Sequence, residues 1–510
     1  MASPQPDSYA APSGAALWAG RFNPLKPLNA AAQAAALAAG SASKVVQMQA
    51  AAAAAALASA AAAHGVPLAG AGQGALLAAG TLATGGGAQS FDEGVDAGTQ
   101  WYVRPNGSTY GAGSGTSWTN AWSGFSGIAW ESVAAGDTIW IAGGTYTQQL
   151  TPSKSGTNGN RVKIRRARAD ASACTSASGW SAAFDSTVLQ VGVGVTIGNF
   201  SYFDISGATT QSGGTQGWHI NFNAEVQGAG FYYNASSTSQ NCNFRWIHLE
   251  GPGIDNTYPG AGGSGTGGRG IDATPFAGAT AAFHTYSHCV LHDWESTAYV
   301  AIPDFTFEWC EFYNVFAENW VDYHPNMVYV TDAPRLTFRY NHCHGLIGEG
   351  VFFTNNDVNV DTAYIYGNLF ENTKDGGTTT KCIQPDNTGT FTGLKIWNNT
   401  FDNCYNVMYG DSAFASSEAR NNLVTRSGSG SPWLSGITAS NNLVMDTDPN
   451  ANNCYVNRAG GDYRIVSTTG ANYPRNAGTL LTSDGFIDKD MDGNTRGSDG
   501  TWDVGAYEFA

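Results

Sequence analysis

The chain has 510 residues, a formal net charge of −16, and only 13% Asp, Glu, Lys and Arg. Its 65 Gly residues and 12% aromatic residues argue against a disordered chain and favour a turn-rich, repetitive β protein. The acidic balance argues against nucleic acid and anionic lipid as partners. The sequence also has no run of about 18 strongly apolar residues, so no membrane insertion is expected.

Residues 1–97 form a low-complexity arm rich in Ala and Gly. Stretches 29–39 and 44–63 favour helix because Ala has the highest helix propensity, but they lack the large apolar side chains that fold a domain alone. We expect this arm to be either a flexible segment or an oligomerisation and attachment segment. No basic residue precedes Arg21, so a secretory signal peptide is not expected.

From Trp101 onward, short β runs recur with similar sequences. Eight of them align, with spacings of 20 to 42 residues, at Ile247, Cys289, Cys310, Asn341, Asn368, Asn399, Asn422 and Asn442. Such a period without intervening helices predicts a solenoid, in which each turn has three short strands and stacks on the next. The last four aligned residues predict a ladder of Asn side chains along the stack.

The cysteines of the repeat favour core packing. Cys289 and Cys310 occupy the aligned position and Cys343 lies two residues beyond it, so we expect small apolar thiols in the core, with a disulfide or a metal site as the alternative. No CxxC pair occurs, which argues against zinc.

The ends of residues 98–510 carry a family resemblance. The opening YVRPNGSTYGAGSGTSWTNAW, the following GDTIWIAGGTY and the ending DKDMDGNTRGSDGTWDVGAYEF resemble right-handed parallel β-helix proteins of the pectate-lyase-like superfold. The resemblance implies an all-β, right-handed parallel β-helix over residues 98–510, with a C-terminal cap at about 450–510. It does not imply one activity, because this fold hosts lyases, hydrolases, epimerases, adhesins and virion spikes.

An arm without an export signal, followed by a β-helix, resembles bacteriophage tailspikes and head spikes. That resemblance implies a homotrimer in the virion, attached to capsid or tail proteins through residues 1–97 and binding host surface polysaccharide. The sequence departs from many tailspikes because it has no obvious trimerisation domain after the β-helix. A secreted bacterial polysaccharide lyase or hydrolase, located outside the cell, and a non-catalytic structural adhesin remain the alternatives.

Acidic residues recur at two positions of the repeat. The first column holds Glu295, Glu318, Glu349 and Asp375, and the second holds Asp304, His324, Asp357, Asp386 and Asp411. Aromatic strands lie between the columns, which predicts a saccharide groove. The expected saccharide contacts are Glu295, Glu318, Trp320, Tyr323, His324, Phe352 and Asp411.

Glycoside hydrolysis needs two carboxylates about 5–9.5 Å apart. Our central pair is Glu349 and Asp386, with Asp375 as the alternative partner; one would be the acid and the other the base or nucleophile. The competing interpretation is that these side chains cap β-helix corners. The basic residues near this stretch are Lys374, Lys381, Arg335 and Arg339. A uronate lyase needs more cations, so a hydrolase is the favoured depolymerase.

The C-terminal stretch carries one candidate metal motif. Asp488, Asp490, Asp492 and Asp499 follow the D-x-D-x-D-G pattern of a calcium loop, with Asp in place of the usual final Glu. The family ending often has a similar turn without calcium, so Ca²⁺ and a metal-free turn both remain open. No other cofactor is expected.

Overall fold

The computed structural model describes residues 98–509 except 223–228, 253–267, 275–279, 316–324, 332–334, 347, 356–361, 372–379, 388–389, 411, 428–430, 446–452 and 482–487. The expectations for residues 1–97 lie outside these residues. In the described part no helix is long and apolar enough to cross a membrane.

The described residues are almost entirely β structure. The first strands are β1 (Gln100–Arg104), β2 (Trp122–Ser123), β3 (Thr138–Ile141), β4 (Gly144–Tyr146), β5 (Val162–Arg166), β6 (Val188–Val191), β7 (Val195–Ile197), β8 (Phe203–Ser206), β9 (Ala208–Thr210), β10 (Gly213–Gln216), β11 (Trp218–Asn221) and β12 (Ala229–Tyr233). The one described α-helix, α1 (Ser172–Thr175), and the 3-10 turns Phe125–Gly127, Trp130–Ser132 and Ala182–Phe184 interrupt them.

The middle strands are β13 (Asn243–Arg245), β14 (Ile247–Glu250), β15 (Arg269–Ala273), β16 (Thr285–Ser287), β17 (Val290–His292), β18 (Ser296–Val300), β19 (Thr306–Glu308), β20 (Glu311–Val315), β21 (Asn326–Thr331), β22 (Thr337–Arg339), β23 (His342–Leu346), β24 (Glu349–Asn355), β25 (Tyr364–Tyr366), β26 (Leu369–Glu371) and β27 (Lys381–Asn387). The last are β28 (Thr390–Thr392), β29 (Lys395–Trp397), β30 (Thr400–Asp402), β31 (Asn406–Met408), β32 (Ala413–Ala415), β33 (Glu418–Arg420), β34 (Leu423–Thr425), β35 (Thr438–Ser440), β36 (Leu443–Met445), β37 (Tyr455–Asn457) and β38 (Asp462–Ile465), with a 3-10 turn at Arg458–Gly460.

Three long parallel sheets form the solenoid. Sheet 1 has 13 strands in the order β2-β1-β3-β5-β8-β13-β16-β19-β22-β25-β29-β33-β35. Sheet 2 has 11 strands in the order β36-β34-β30-β26-β23-β20-β17-β14-β11-β6-β4, and sheet 3 has 8 strands in the order β31-β27-β24-β21-β18-β15-β12-β7. One turn takes one strand from each sheet, as in β16, β17 and β18, before β19 returns to sheet 1. The prediction of a right-handed parallel β-helix is confirmed.

The core is a set of inward-facing columns, because side chains of each strand alternate between the interior and the surface. In sheet 2 the inward column includes Leu291, Phe312, Cys343, Phe370 and Phe401, paired strand to strand and almost fully buried. Cys289, Cys310 and Cys343 are buried thiols outside any disulfide, which confirms the prediction of core thiols.

A two-residue corner joins each sheet 1 strand to the next sheet 2 strand through most of the solenoid, and its first residue is left-handed. The residues with positive φ at this corner are Trp246, His288, Trp309, Tyr340, Gly367, Asn398, Asn421 and Asn441. Asn and Gly reach this conformation most easily, whereas bulky residues do so at a cost. The bulky ones stack outside the corner: Trp246 on His288 at 4.3 Å between ring centroids and Trp309 on Tyr340 at 4.7 Å, which offsets that cost.

The second residue of this corner forms the predicted Asn ladder. The Nδ2 of Asn368 donates to Oδ1 of Asn399 at 2.9 Å, the Nδ2 of Asn399 to Oδ1 of Asn422 at 3.0 Å, and the Nδ2 of Asn422 to Oδ1 of Asn442 at 2.8 Å. Asn341 extends the ladder by one turn at 3.1 Å. The aligned repeat position was therefore predicted correctly.

The segment after β36 packs on sheet 2. Buried Asp402 on β30 accepts hydrogen bonds from the Arg458 Nε at 2.8 Å and the Tyr463 hydroxyl at 3.0 Å. These contacts attach the antiparallel pair β37–β38 to the solenoid.

Candidate functional site

The described candidates of the predicted groove lie on or next to sheet 3. Glu295 directly precedes β18, Glu349 opens β24, Phe352 lies in β24 and Asp386 lies in β27. Glu318, Trp320, Tyr323, His324, Asp375 and Asp411 lie outside the described residues. By chain position, Asp411 follows β31, and the other five residues belong to connections that lead from sheet 2 into sheet 3.

Several connections into sheet 3 are much longer than the two-residue corners between sheets 1 and 2. The long ones are residues 222–228 before β12, 251–268 before β15, 316–325 before β21 and 372–380 before β27, whereas the connections into β7, β18, β24 and β31 have only two or three residues. Long connections on a regular scaffold are common carriers of binding residues. Sheet 3 is therefore the sheet whose border offers the most chain for a binding site.

Glu349 is buried, with 3% of its surface exposed, and forms an ion pair across sheet 3. Its Oε1 lies 3.3 Å from the Nζ of Lys381, which is its direct register partner on β27. The Lys381 Nζ also lies 4.6 Å from the ring centroid of Tyr409, whose side chain is 51% exposed. The carboxylate is thus fixed beside a cation and next to an exposed aromatic ring.

The structure does not bring Glu349 and Asp386 together. Asp386 pairs with Thr354, five residues along β24 from Glu349, which is about 16 Å at the rise of a strand. The carboxylate spacing of a glycosidase, about 5–9.5 Å, is not produced by that backbone placement. Counting residues from the Asn ladder does not reveal this separation of Glu349 and Asp386, because the connections into β24 and β27 differ in length.

An aromatic column runs along the outward side of sheet 3, with its two tyrosines half-buried and its phenylalanine buried at 7% exposure. Tyr299, Tyr329 and Phe352 are register partners on β18, β21 and β24. Their ring centroids are 4.2 Å apart for the two Tyr residues and 5.1 Å apart for Tyr329 and Phe352. The Arg269 guanidinium lies 4.1 Å from the Tyr299 ring centroid and 3.0 Å from Oδ2 of Asp272. We call this surface the sheet 3 face; it comprises Arg269, Asp272, Tyr299, Tyr329, Glu349, Phe352 and Lys381.

Glu295 borders the sheet 3 face. Burial raises the pKa of its carboxyl above the ordinary value, and the charge of Arg269 lowers it by less. Its backbone carbonyl accepts a hydrogen bond from the Asn326 N–H at 3.2 Å, so the residue also fixes the start of β21.

Two of the predicted cations belong to sheet 1 and its border. Arg335 pairs with Asp304 through two contacts of 2.6 and 2.7 Å. Arg339 pairs with Glu308, and its Nη1 donates to the Tyr366 hydroxyl at 2.8 Å. Lys374 lies outside the described residues, so Lys381 is the predicted cation that the structure places on sheet 3.

The four aspartates of the predicted calcium loop do not converge within the described C-terminal stretch. No three of them have carboxylate oxygens within 4.8 Å of one another. The Asp490 carboxylate accepts hydrogen bonds from the backbone N–H of Asn494 at 2.6 Å and of Glu508 at 2.9 Å. Asp499 lies 3.8 Å from an Arg475 Nη2. Asp488 and Asp492 flank this turn.

Sequence reasoning missed a second polar surface on sheet 2. Its outward residues, which we call the sheet 2 face, are His219, His248, Glu250, His292, Glu311, Tyr313, His342, His344 and Glu371. The signal was present as polar residues alternating with core residues in IHLE, VLHD and HCH. The outward residues of these segments form one surface only when separate turns of the solenoid are stacked.

Two groups on the sheet 2 face could hold a metal ion. The donor atoms of His219, His248 and Glu250 lie within 4.8 Å of one another, and so do those of Glu311, His342 and His344. The pKa of His248 is lowered to about 2 by burial and by the neighbouring His219 and His292. Burial also lowers the pKa of His342, but the hydrogen bond and charge of Glu371 outweigh it and the net shift is upward.

A scan of the sequence against protein-family models and a search of curated proteins gave no match. Among solved structures, the chain is similar to pectate lyase Pel9A, with a TM-score of 0.52 and 15% identity over 81% of this chain and 96% of that chain. It also matches a rhamnogalacturonan lyase with a TM-score of 0.39 and 12% identity, over 74% of this chain and 96% of the other. The likeness to Pel9A supports the right-handed parallel β-helix fold.

Proposed function

We propose that this protein binds an extended polysaccharide along the sheet 3 face. The observation that carries the proposal is the column of Tyr299, Tyr329 and Phe352, with Arg269 close to the Tyr299 ring. On the same sheet, Lys381 lies close to the exposed ring of Tyr409. Successive strands repeat about every 4.8 Å, so aromatic rings recur at regular intervals along one line. A linear polymer of sugars presents hydroxyls and apolar ring faces at regular intervals, which such a row can contact.

The borders of sheet 3 support the same surface. Connections of varied length lead into it, and they carry Glu318, Trp320, Tyr323, His324 and Asp375 of the predicted groove. Exposed tyrosines stand at both ends of the sheet, with Tyr232 42% and Tyr409 51% exposed. Exposed tyrosines on either side of the aromatic column suit sugar recognition, because each ring offers an apolar face and a polar edge.

Retention of polysaccharide by the purified full-length chain tests this proposal. Affinity electrophoresis with polygalacturonate, rhamnogalacturonan and bacterial surface polysaccharides should show retardation by at least one polymer. Tyr329→Ala should weaken that binding about tenfold, equivalent to about 1.4 kcal/mol. Tyr313→Ala, an outward aromatic change on sheet 2, is the matched control. Equal binding by both variants, or no retention of any polymer, would refute the sheet 3 face as the binding surface.

Hydrolysis of the bound polymer is the finer part of the proposal. Glu349 would supply one carboxyl group, and Asp375, on the connection into β27, is the partner that chain position leaves for it. Reducing-end release should be lost in Glu349→Gln and Asp375→Asn and kept in Asp386→Asn. Unsaturated products would instead identify a lyase. Binding without any release would leave a receptor-binding or adhesive protein.

Residues 1–97 would attach this β-helix to a phage particle, with the protein present as a homotrimer. The abrupt change from an Ala- and Gly-rich arm to an aromatic-rich repeat near residue 100 supports a separate attachment role. Sedimentation of the full chain should give a trimer, and deletion of residues 1–97 should abolish incorporation into particles. A monomer recovered active from a cell supernatant would favour the secreted enzyme.

A further inference from the structure

Three imidazoles and a carboxylate converge on three consecutive strands of sheet 2. The Nε2 of His219 lies 2.7 Å from Oε2 of Glu250, and the Nε2 of His248 lies 2.5 Å from the Nε2 of His292. The rings of His219 and His248 stack at 4.2 Å between centroids. Donor atoms from β11, β14 and β17 are therefore gathered within one small volume.

One hydrogen bond of this group directs the Nε2 lone pair of His292 inward, towards the Nε2 of His248 to which it is hydrogen-bonded. The Nδ1 of His292 lies 2.7 Å from Oδ2 of Asp293, so this nitrogen carries the proton and Nε2 carries the lone pair. A carboxylate behind an imidazole is the usual support of a metal-ligating histidine. Glu250 is held similarly, because its Oε2 accepts from the Asn221 Nδ2 at 2.7 Å.

Among the described residues, the Nε2 of His219 has no aligned hydrogen-bond partner, although Glu250 Oε2 is 2.7 Å away. Ligand atoms that lie close together without pointing at each other have the arrangement expected around a shared metal ion.

The second group on the same face differs in this respect. The Nε2 of His342 lies 2.6 Å from Oε1 of Glu371, and the Nε2 of His344 lies 3.0 Å from Oε1 of Glu311, both in hydrogen-bond geometry. Protons on these nitrogens satisfy the carboxylates. Both histidines of the second group thus have an Nε2 that is hydrogen-bonded to a carboxylate, unlike His219 in the first group, and the second group serves as a comparison.

We propose that His219, His248 and Glu250, with His292 as a fourth donor, bind a divalent transition-metal ion, for which zinc is the best match. Imidazole nitrogens suit zinc at about 2.0–2.1 Å with tetrahedral geometry, whereas calcium and magnesium require mostly oxygen ligands. The absence of CxxC pairs argues only against a zinc site built from paired cysteines and does not bear on a histidine site. The donor set also suits copper and nickel, so zinc is the ion to test first.

Calorimetric titration of ZnCl₂ into the EDTA-treated full-length protein tests the proposal. His219→Phe keeps a stacked ring but removes one donor nitrogen, and Glu250→Gln removes the carboxylate. Both should lose zinc binding at this site. Asp293→Asn should weaken it about 10–100-fold, as expected for a group that supports a ligand. His342→Phe is the matched control and should bind zinc like the wild type.

Thermal unfolding with and without zinc gives a second measurement that does not depend on any activity. A ligand that binds only the folded state raises the unfolding temperature, so zinc should stabilise the wild type and the His342→Phe variant but not His219→Phe. Absence of zinc binding by the wild type would overturn the proposal. Loss of binding in His342→Phe with retention in His219→Phe would also overturn it.

Discussion

Replacing Asn399 by Ala removes the centre of the Asn ladder. Its Oδ1 accepts from the Asn368 N–H at 3.0 Å and the Asn368 Nδ2 at 2.9 Å, and its Nδ2 donates to the Ile365 carbonyl at 2.9 Å and to Asn422 Oδ1 at 3.0 Å. Asn399 is fully buried, so water cannot replace these bonds. At about 1 kcal/mol net for each of four bonds, the free energy of unfolding should fall by about 4 kcal/mol.

Asn442 at the end of the ladder provides the matched control. It accepts from the Asn422 N–H and Nδ2 and donates to the Ala419 carbonyl at 2.8–2.9 Å, but it is only half-buried. Water can replace part of what Asn442→Ala removes, so about 1 kcal/mol is expected. Urea unfolding followed by far-UV circular dichroism measures both variants. If Asn399→Ala cost no more than Asn442→Ala, the ladder would not stabilise the solenoid as argued.

Two further predictions concern buried ion pairs. The raised pKa of His342 stabilises the fold below about pH 6.5, and this stabilisation is lost as the pH rises through the raised pKa. The lowered pKa of Glu371, which is hydrogen-bonded to His342 and Tyr463, stabilises the fold above about pH 4.5. The stability lost in His342→Gln should thus be greatest between about pH 4.5 and 6.5 in urea titrations, and a pH-independent loss would contradict this. Asp402→Ala removes the buried carboxylate that pairs with Arg458 and should cost about 3–5 kcal/mol. Proteolysis of β37–β38 should accelerate, whereas Asp462→Ala, whose partner Arg464 is exposed, should have little effect.

The solenoid could be predicted because its repeat depends on local backbone chemistry. The corner before each sheet 2 strand needs a left-handed residue and then a side chain that bonds along the stack, and Asn supplies both at Asn398 and Asn399. This requirement recurs through most of the solenoid and is therefore visible in a single sequence. Cys289 and Cys310 fill the same position where the ladder has not begun, so they align as well.

The candidate site was harder to predict because it depends on register across sheet 3. Glu349 faces Lys381 and not Asp386, and this follows from the different lengths of the connections that lead into β24 and β27. No local rule fixes where a strand begins after a long connection. The sheet 2 face was missed for another reason: its histidines become neighbours only when residues such as His219, His248 and His292 are stacked from separate turns.

The two proposals rest on different sheets and can therefore fail separately. Each turn from β6–β7 to β30–β31 has one strand in sheet 2 and one in sheet 3, and the buried core between them separates His248 from Tyr299 and Tyr329. Local side-chain changes on one sheet should leave the other unchanged, since sites without shared partners behave additively. Tyr329→Ala should thus keep its zinc stoichiometry, and His219→Phe should keep its polysaccharide retention. If removing zinc abolished polysaccharide binding, the metal would have to act through the stacked turns, and sheet 2 would then belong to the binding machinery.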